Sequence, residues 1–464
     1  MEAHDYIALH QDRFLEQLQT LLRIPSISAL PEHRDDVARA AEWVSDDLHA
    51  IGLENVRVIR DEEGGGHPLV YGDRLDAPGA PTVLIYGHYD VQPADPLDLW
   101  DTPPFEPTIH GDDLYARGAS DDKGQMLALL KGVEAVLAVG PAPVNIKVLI
   151  EGEEEVTGQH IERFVRAHPE ALKADVVLVA DSPMFAPGVP TLCTGLRGIV
   201  YTQIDVRGAA RDLHSGLYGG AAPNALNGLA AILDGLKNAY TGVVNVYGYY
   251  DDVVPASTEE RALWDTLPFD EEAYRRDQIG ASDLAGERTY APLERTWARP
   301  TLDVNGMVGG FTGVGAKTVI PAEAMAKVSM RLVPNQRPEE IYAAFVETVT
   351  ALQPPGIVAT VRQLGLAAPV SLPADTRAMR AAAAALEEVF GRPAASTRMG
   401  GSIPIVEAFL TVVGAPAVLA GFGLPDDNLH APNEKFHLPN FFGAIRFTAL
   451  FLQRYGQQDA AHAG

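Results

Sequence analysis

Short apolar runs recur through the first 190 positions, at "NVRVI" (55–59), "TVLIY" (82–86), "IKVLI" (146–150) and "VVLVA" (176–180), and each has the length of a buried strand. Between them the pattern changes to a 3.6-residue period, as in "QMLALLKGVEAVLAV" (125–139), which predicts helices. Such alternation predicts an α/β domain, a mainly parallel sheet flanked by helices. The opening "MEAHDYIALHQDRFLEQLQTLLRIPSIS" predicts one amphipathic helix stopped by Pro25.

The rhythm changes at about residue 196. "GIVYTQIDVRG" predicts a strand, Pro223 to about Tyr240 a helix, "PTLDVNG" and "AMAKVSMRLVP" two strands, "PEEIYAAFVETVTAL" a helix and "GIVATVRQL" a last strand. That β-α-β-β-α-β order is the order of a ferredoxin-like α+β unit, here inserted into the first domain. The α/β style returns with "PAVLA" (416–420). The expected organisation is therefore 1–195 and 371–464 as two parts of one domain, with 196–370 as an inserted lid or dimerisation domain. Residues 241–300, rich in Asp, Glu and Arg and poor in periodicity, read as an excursion of the insert. The aromatic patch "YGYY" (247–250) reads as core or interface, because no basic residues interleave with it.

Composition narrows the possible partners. The 464 residues are 47% hydrophobic, enough for a sizeable core, and the net charge of −26 repels phosphate backbones and anionic headgroups. Neither nucleic acid nor membrane is expected as a partner. No run approaches the roughly twenty apolar residues of a membrane span, and the amino terminus lacks the basic start and apolar core of a secretory signal. The one cysteine, Cys193, excludes an intrachain disulfide and a cysteine-based zinc cage and fits a reducing compartment, so a cytoplasmic address is expected.

Polar residues of ligand type stand just past the strand ends. "TVLIY" runs into His88 and Asp90, "IKVLI" into Glu151, Glu153, Glu154 and Glu155, "VVLVA" into Asp181, and "PAVLA" is followed by a segment holding His430. Ligand crevices of open α/β sheets lie at those ends, so the segments can converge. His88 and Asp90 share a face in extended chain, which suits an imidazole oriented by a carboxylate, and equally a strand-end His capped by a nearby Asp. "RGASDDKGQM" adds Asp121 and Asp122 at a helix start, with Ser120 as N-cap. Crowded carboxylates repel one another unless solvent or a cation neutralises them. Two His with several Asp and Glu and no Cys suit zinc, manganese or cobalt, and the number of acids suits two ions sharing a carboxylate.

The segments "YGHYDVQP", "GASDDKGQ", "IEGEEEVTG", "ADSP", "RDLHSGLYGG", "AKTVIPAEAMAKVSMRLVP", "MGGSIP" and "LHAPNEKF" resemble those of the co-catalytic zinc metallopeptidases. That family includes carnosinase-like dipeptidases, carboxypeptidase G, aminoacylase and succinyl-diaminopimelate desuccinylase. The resemblance runs in order from "RIPSIS" to "NEKF", and "HSGLYGG" and "GGSIP" resemble the carnosinase-like branch most. It implies two divalent ions, zinc first, held by His88 and Asp181 on one side, Glu155 and His430 on the other, with Asp121 shared. It further implies Glu154 as general base, Asp90 as the residue orienting His88, and a cis peptide between Asp121 and Asp122. His214 would polarise the scissile carbonyl from a partner subunit, which makes a homodimer the expected assembly. Arg331 would hold the substrate carboxylate, with Thr318 and Ser402 as lesser contacts.

The activity implied is hydrolysis, through a hydroxide shared by two metals, of dipeptides or short peptides with a free C-terminal carboxylate. An N-acyl-amino-acid deacylase using the same site is the alternative, and a scaffold protein that has lost catalysis a remote second. His437 reads as a packing or surface residue and Cys193 as a small buried one.

Overall fold

The computed structural model describes residues 1–61, 64–156, 158–401 and 403–457. Helices α1 (Ala3–Leu9), α2 (Gln11–Leu22) and α3 (Arg34–Ala50) precede strands β1 (Glu54–Ile59), β2 (Leu69–Arg74) and β3 (Thr82–His88). After them come α4 (Lys123–Val139), β4 (Asn145–Glu151), α5 (Gln159–Ala167), β5 (Val176–Val179) and β6 (Thr191–Leu196). The chain continues as β7 (Gly198–Arg207), α6 (Ala225–Leu236), β8 (Thr301–Gly309), β9 (Glu323–Leu332), α7 (Pro338–Ala351) and β10 (Val358–Ala367). It ends with α8 (Arg377–Phe390), β11 (Ala417–Gly421) and α9 (Leu438–Gln457).

Two compact units result, one of Met1–Thr194, Leu372–Thr397 and Ile405–Gly464, the other of Gly195–Ser371 with Arg398–Pro404. The short return to the second unit is held by side chains of that unit: Arg398 pairs with Glu260, and Arg197 gives Nε–H to the Gly400 carbonyl at 2.8 Å.

In the first unit the sheet order is β1-β2-β4-β3-β5-β11-β6. The centre is parallel, β4 to β3, β3 to β5 and β5 to β11, and the flanks are antiparallel. Helices cover it, α3 on β1 and β2, α4 on β3 and on α9, and α8 on α9. Val83, Ile85, Ile146, Val148, Met126, Leu130, Phe447 and Phe451 meet in one core. Helix α4 is buried from Lys123 to Val136, so its charged members need partners: Lys131 Nζ reaches Asp47 at 2.5 Å and Glu134 at 3.0 Å. The amino-terminal segment is two helices where one was expected. At His10 (φ −114°) the hydrogen-bond ladder restarts, and each half then turns its own apolar residues inward, Ala3 and Ile7 before the break, Phe14, Leu18, Leu21 and Leu22 after it.

The second unit is an antiparallel sheet in the order β8-β9-β7-β10 with α6 and α7 in the crossovers, the ferredoxin-like arrangement. Burial alternates along β7 and β9, and the inward residues Val200, Ile204, Val328 and Met330 pack with Leu229, Ile232, Phe345 and Val349 of the helices. Helix α6 stops at Leu236, short of Tyr240, because the Asn238 carboxamide accepts the N–H groups of Tyr240 and Thr241 and closes a turn.

Candidate metal centre

The five predicted ligands, the predicted base and Asp90 all lie at or beyond the carboxyl ends of the first unit's parallel strands or in the turns beside them. His88 ends β3, Asp90 follows it, Glu154 and Glu155 follow β4, Asp181 follows β5, and His430 lies in the loop after β11. Asp121 precedes α4 and its peptide bond to Asp122 is cis. Ser120 is not the N-cap. Its hydroxyl donates to Asp427 Oδ2 at 2.7 Å, and Asp122 occupies the cap position without a side-chain bond to the helix.

These residues form two triads, His88–Asp121–Asp181 and Asp121–Glu155–His430, in each of which the ligand atoms lie within 4.8 Å of one another. Asp121 is common to both, with Oδ1 3.2 Å from His88 Nε2 and Oδ2 3.0 Å from His430 Nε2. His430 Nε2 is also 3.3 Å from Glu155 Oε2.

The His88 ring shows what the centre requires. Its Nδ1 lies 3.1 Å from the Asp90 carbonyl oxygen, which can only accept, so Nδ1 carries a hydrogen and Nε2 is the nitrogen left for a second proton or a metal. Nε2 is buried without a hydrogen-bond partner and faces a carboxylate oxygen. Two lone pairs pointed at one place repel unless a proton or a cation stands between them. Imidazole nitrogens with carboxylate oxygens fit a borderline or hard divalent ion, so the residues present suit the metal that the sequence implies.

The four glutamates after β4 have separate destinations. Glu151 Oε1 accepts the Tyr86 hydroxyl at 2.7 Å, and Glu153 accepts the N–H groups of His67 (2.8 Å) and His160 (2.6 Å), closing the first turn of α5. Glu154 and Glu155 remain. Their backbone N–H groups both donate to the Asp90 carboxylate at 3.2 Å, and Gln92 Nε2 donates to Glu155 Oε2 at 2.8 Å.

Electrostatics follow from crowding. Burial, with Asp121 next, pushes Glu155 up to about 8 and Asp181 up to about 6. Burial also lifts Glu154 well above the ordinary range, helped by Asp181 and Glu155 against the pull of His88. Asp121 alone goes down despite its burial, because His430 bonds to it and the His88 ring lies against its other oxygen, and the His430 bond holds that imidazole up at about 8.

The remaining candidates belong to the second unit. His214 is exposed, and its Nδ1 accepts the Gly216 N–H at 3.0 Å, which leaves Nε2–H as an outward donor. A two-residue ladder sets His214 opposite Val319, beside exposed Thr318, whose carbonyl accepts the Ser215 N–H at 3.1 Å. Arg331 sits on β9 opposite Ile199, half-buried, with its pKa lowered by desolvation. Ser402 lies outside the described residues. His437 bonds to Asp113 at 2.8 Å and belongs to neither triad.

Sequence reasoning passed over Tyr86, Gln92, Arg117, Asp427 and Glu434, all of which hold the ligand segments in place. Tyr86 and Gln92 stood inside "YGHYDVQP", Arg117 at the head of "RGASDDKGQM" and Glu434 inside "LHAPNEKF", which was the available signal for the four.

Peptidase family M20/M25/M40 matches residues 84–454. The Cys-Gly metallodipeptidase DUG1 of Candida albicans is 32% identical over 98% of this chain and 96% of its own. Among solved structures, the dipeptidase Dug1p from Saccharomyces cerevisiae superposes with a TM-score of 0.86 at 28% identity, covering 98% of each chain. Human carnosine dipeptidase 1 gives 0.85 at 30% identity, again over 98% of each chain. With the family matched over most of its length, and paired triads of the type described, this chain belongs to peptidase family M20/M25/M40.

Proposed function

We propose that the protein is a metal-dependent dipeptidase that cleaves the amide bond of dipeptides or short peptides bearing a free C-terminal carboxylate. The observation that carries this reading is the pair of triads sharing Asp121, which suits two divalent ions, zinc first and manganese or cobalt also accepted by such donors. His88 and Asp181 would hold one, Glu155 and His430 the other. Bound there, such ions supply Lewis acidity toward a carbonyl and make a water nucleophilic near neutral pH.

Glu154 is the base in this scheme. It takes the proton of the attacking water and returns it to the departing amine. Asp90 keeps the His88 ring in one tautomer and ties down the backbone of Glu154 and Glu155. His214, with Nε2–H free to donate, polarises the carbonyl oxygen, and Arg331 receives the substrate carboxylate in a bidentate fork, with Thr318 and Ser402 as lesser substrate contacts.

We place His214 in the site of a partner copy, in a homodimer. Edge strand β8 has a neighbour on one side only and exposes Val304, Met307 and Val308, which supports an interface there. Among the described residues no helix is long and apolar enough to cross a membrane, and the single cysteine fits the cytoplasmic address we assign.

A substrate panel tests the reading. Zinc-loaded protein should hydrolyse dipeptides, the dipeptides of the relatives' names among them, faster than N-acetyl amino acids; the reverse order would replace it with the deacylase alternative. Glu154→Gln should cut turnover by about 10²–10⁴-fold and still bind metal.

A further inference from the structure

Glu434 is fully buried, is not part of either triad, and accepts four hydrogen bonds. Its Oε1 receives the backbone N–H groups of Ser120 (3.0 Å) and Asp121 (3.1 Å). Its Oε2 receives Gly118 N–H (2.8 Å) and Arg117 Nη1 (2.7 Å). Arg117, 1% exposed, turns its other terminal nitrogen to the carbonyls of Pro93 (3.3 Å) and Ala431 (3.1 Å). Three segments are thereby joined to one ion pair: the one that carries His88 and Asp90, the turn that carries Asp121, and the loop whose His430 immediately precedes Ala431.

We propose that the Glu434–Arg117 pair is a positioning device for the shared ligand, fixing the Asp121 carboxylate relative to the His430 ring and so setting the affinity for the ion held by Asp121, Glu155 and His430. The chemistry of the pair suits this task. A carboxylate can accept four donors from a turn that bends too sharply for a strand ladder, whereas a backbone carbonyl has two lone pairs. The guanidinium adds a rigid fork that reaches two further carbonyls at fixed angles. The two charges cancel, so the device adds no net charge to the centre. The Asp121 N–H is itself one of the donors and Arg117 also holds Ala431 next to His430, so a shift of the pair displaces two ligands of the Asp121–Glu155–His430 triad but only the shared one of the other.

The proposal rests on reading Asp121 as the shared ligand, and one titration separates the two. The full chain, stripped with chelator, is titrated with Co²⁺, followed by calorimetry and by the visible absorption that reports cobalt geometry. Glu434→Gln turns an NH₂ toward two donors whichever way the amide sits, and Arg117→Lys keeps the charge but cannot reach Glu434, Pro93 and Ala431 together. In both variants one of the two ions should bind about 10–100-fold more weakly with an altered cobalt spectrum, and the other should weaken by clearly less. Wild-type affinity for both ions would overturn the proposal, and so would equal weakening of both, the mark of a general loss of structure. If Glu434→Gln fails to unfold cooperatively when metal-free, Arg117→Lys decides alone. Asp121→Asn is the control: if it still holds two ions as before, the reading of the centre fails, whereas if it loses them while Glu434→Gln keeps them, only the positioning role fails.

Discussion

Asp90 is the residue on which most of the centre leans, and truncating it gives the sharpest stability-and-function prediction. It is fully buried, accepts the N–H groups of Glu154 and Glu155 at 3.2 Å on separate oxygens, and lies 3.3 Å from His88 Nδ1. A hydrogen bond to a charged group contributes about 1.5–3 kcal/mol, so Asp90→Ala, which leaves both N–H groups without an acceptor, should cost about 3–6 kcal/mol in the metal-free protein. Asp90→Asn keeps the volume and one acceptor oxygen and should lose about half of that. Domains have about 5–15 kcal/mol in hand, so Asp90→Asn should fold and Asp90→Ala should fold wherever the parent's reserve exceeds about 6 kcal/mol, which the same urea unfolding measures. The same change releases the Glu154–Glu155 turn and removes the carboxylate 3.3 Å from His88 Nδ1, leaving that ring only the Asp90 carbonyl, and metal affinity or turnover should fall by about 10–100-fold. Urea unfolding of chelated protein measures the first quantity, zinc titration and dipeptide turnover the second, and all should rank parent above Asn above Ala. An Asp90→Ala protein with parental metal affinity and turnover would refute the role assigned to Asp90, however stable it proved.

Other outcomes follow from the charges. Metal-free stability should fall as pH rises from about 4 to 8: Asp181 and Glu155, raised to about 6 and about 8, are ionised in the unfolded chain before the folded one, and the stability that His430 gains from its partner is full below its ordinary 6.5 and lost through about 8. Thermal melts across that range, with and without zinc, check the sign; zinc replaces those protons, so its affinity should climb over the same window, and a flat metal-free profile would contradict the crowding argument. His214→Ala should lose about 10²–10³-fold in turnover while binding metal normally. Mixed with Glu154→Gln subunits it should recover activity if His214 acts across a dimer, and no recovery would place it in its own subunit's site. Lys131→Met should cost about 3–5 kcal/mol in urea unfolding by leaving Asp47 and Glu134 short of a buried cation, with turnover of the folded protein unchanged.

The elements that the sequence made legible are those whose burial is simple. Strands β3, β4, β5 and β11 lie in the parallel centre with both faces covered, so they read as unbroken apolar runs, and the polar residues just past them stand out. The β-α-β-β-α-β order of the insert was visible because β7 and β9 alternate and α6 and α7 hold their period over twelve and fourteen residues. Short or interrupted elements were not. Strand β2, "LVYGDR", carries Gly72 because its Cβ would lie 3.2 Å from Val56, and the ladder between Asp113–Tyr115 and Lys435–His437 is three residues long, too brief for any period. In 241–300 the helix Thr258–Trp264 has only seven residues, and it stays folded through its Ser257–Glu260 capping box and the Trp264–Trp297 contact rather than through a long apolar face. The supports of the site were hidden for another reason. Arg117 and Glu434 lie 317 residues apart, and an ion pair at that separation leaves no periodic trace in either segment.

The run Glu151–Glu155 shows why charge crowding in a sequence has to be resolved side chain by side chain. A stretch in which four of five residues are acids looks like a solvated tip, yet Glu151 is buried on a tyrosine and Glu153 on two backbone N–H groups. Each of those acids has a local partner, although burial still holds Glu151 up at about 8. Glu154 and Glu155 have their backbones pinned instead, through Asp90, which fixes where the carboxylates point without neutralising them. In the metal-free protein the deficit is met by protons, as the position of Glu155 at about 8 records. A pocket that holds protons on an acid at neutral pH is one from which a divalent cation has to displace them, so metal uptake there should release protons, and the release should shrink as pH rises through about 8.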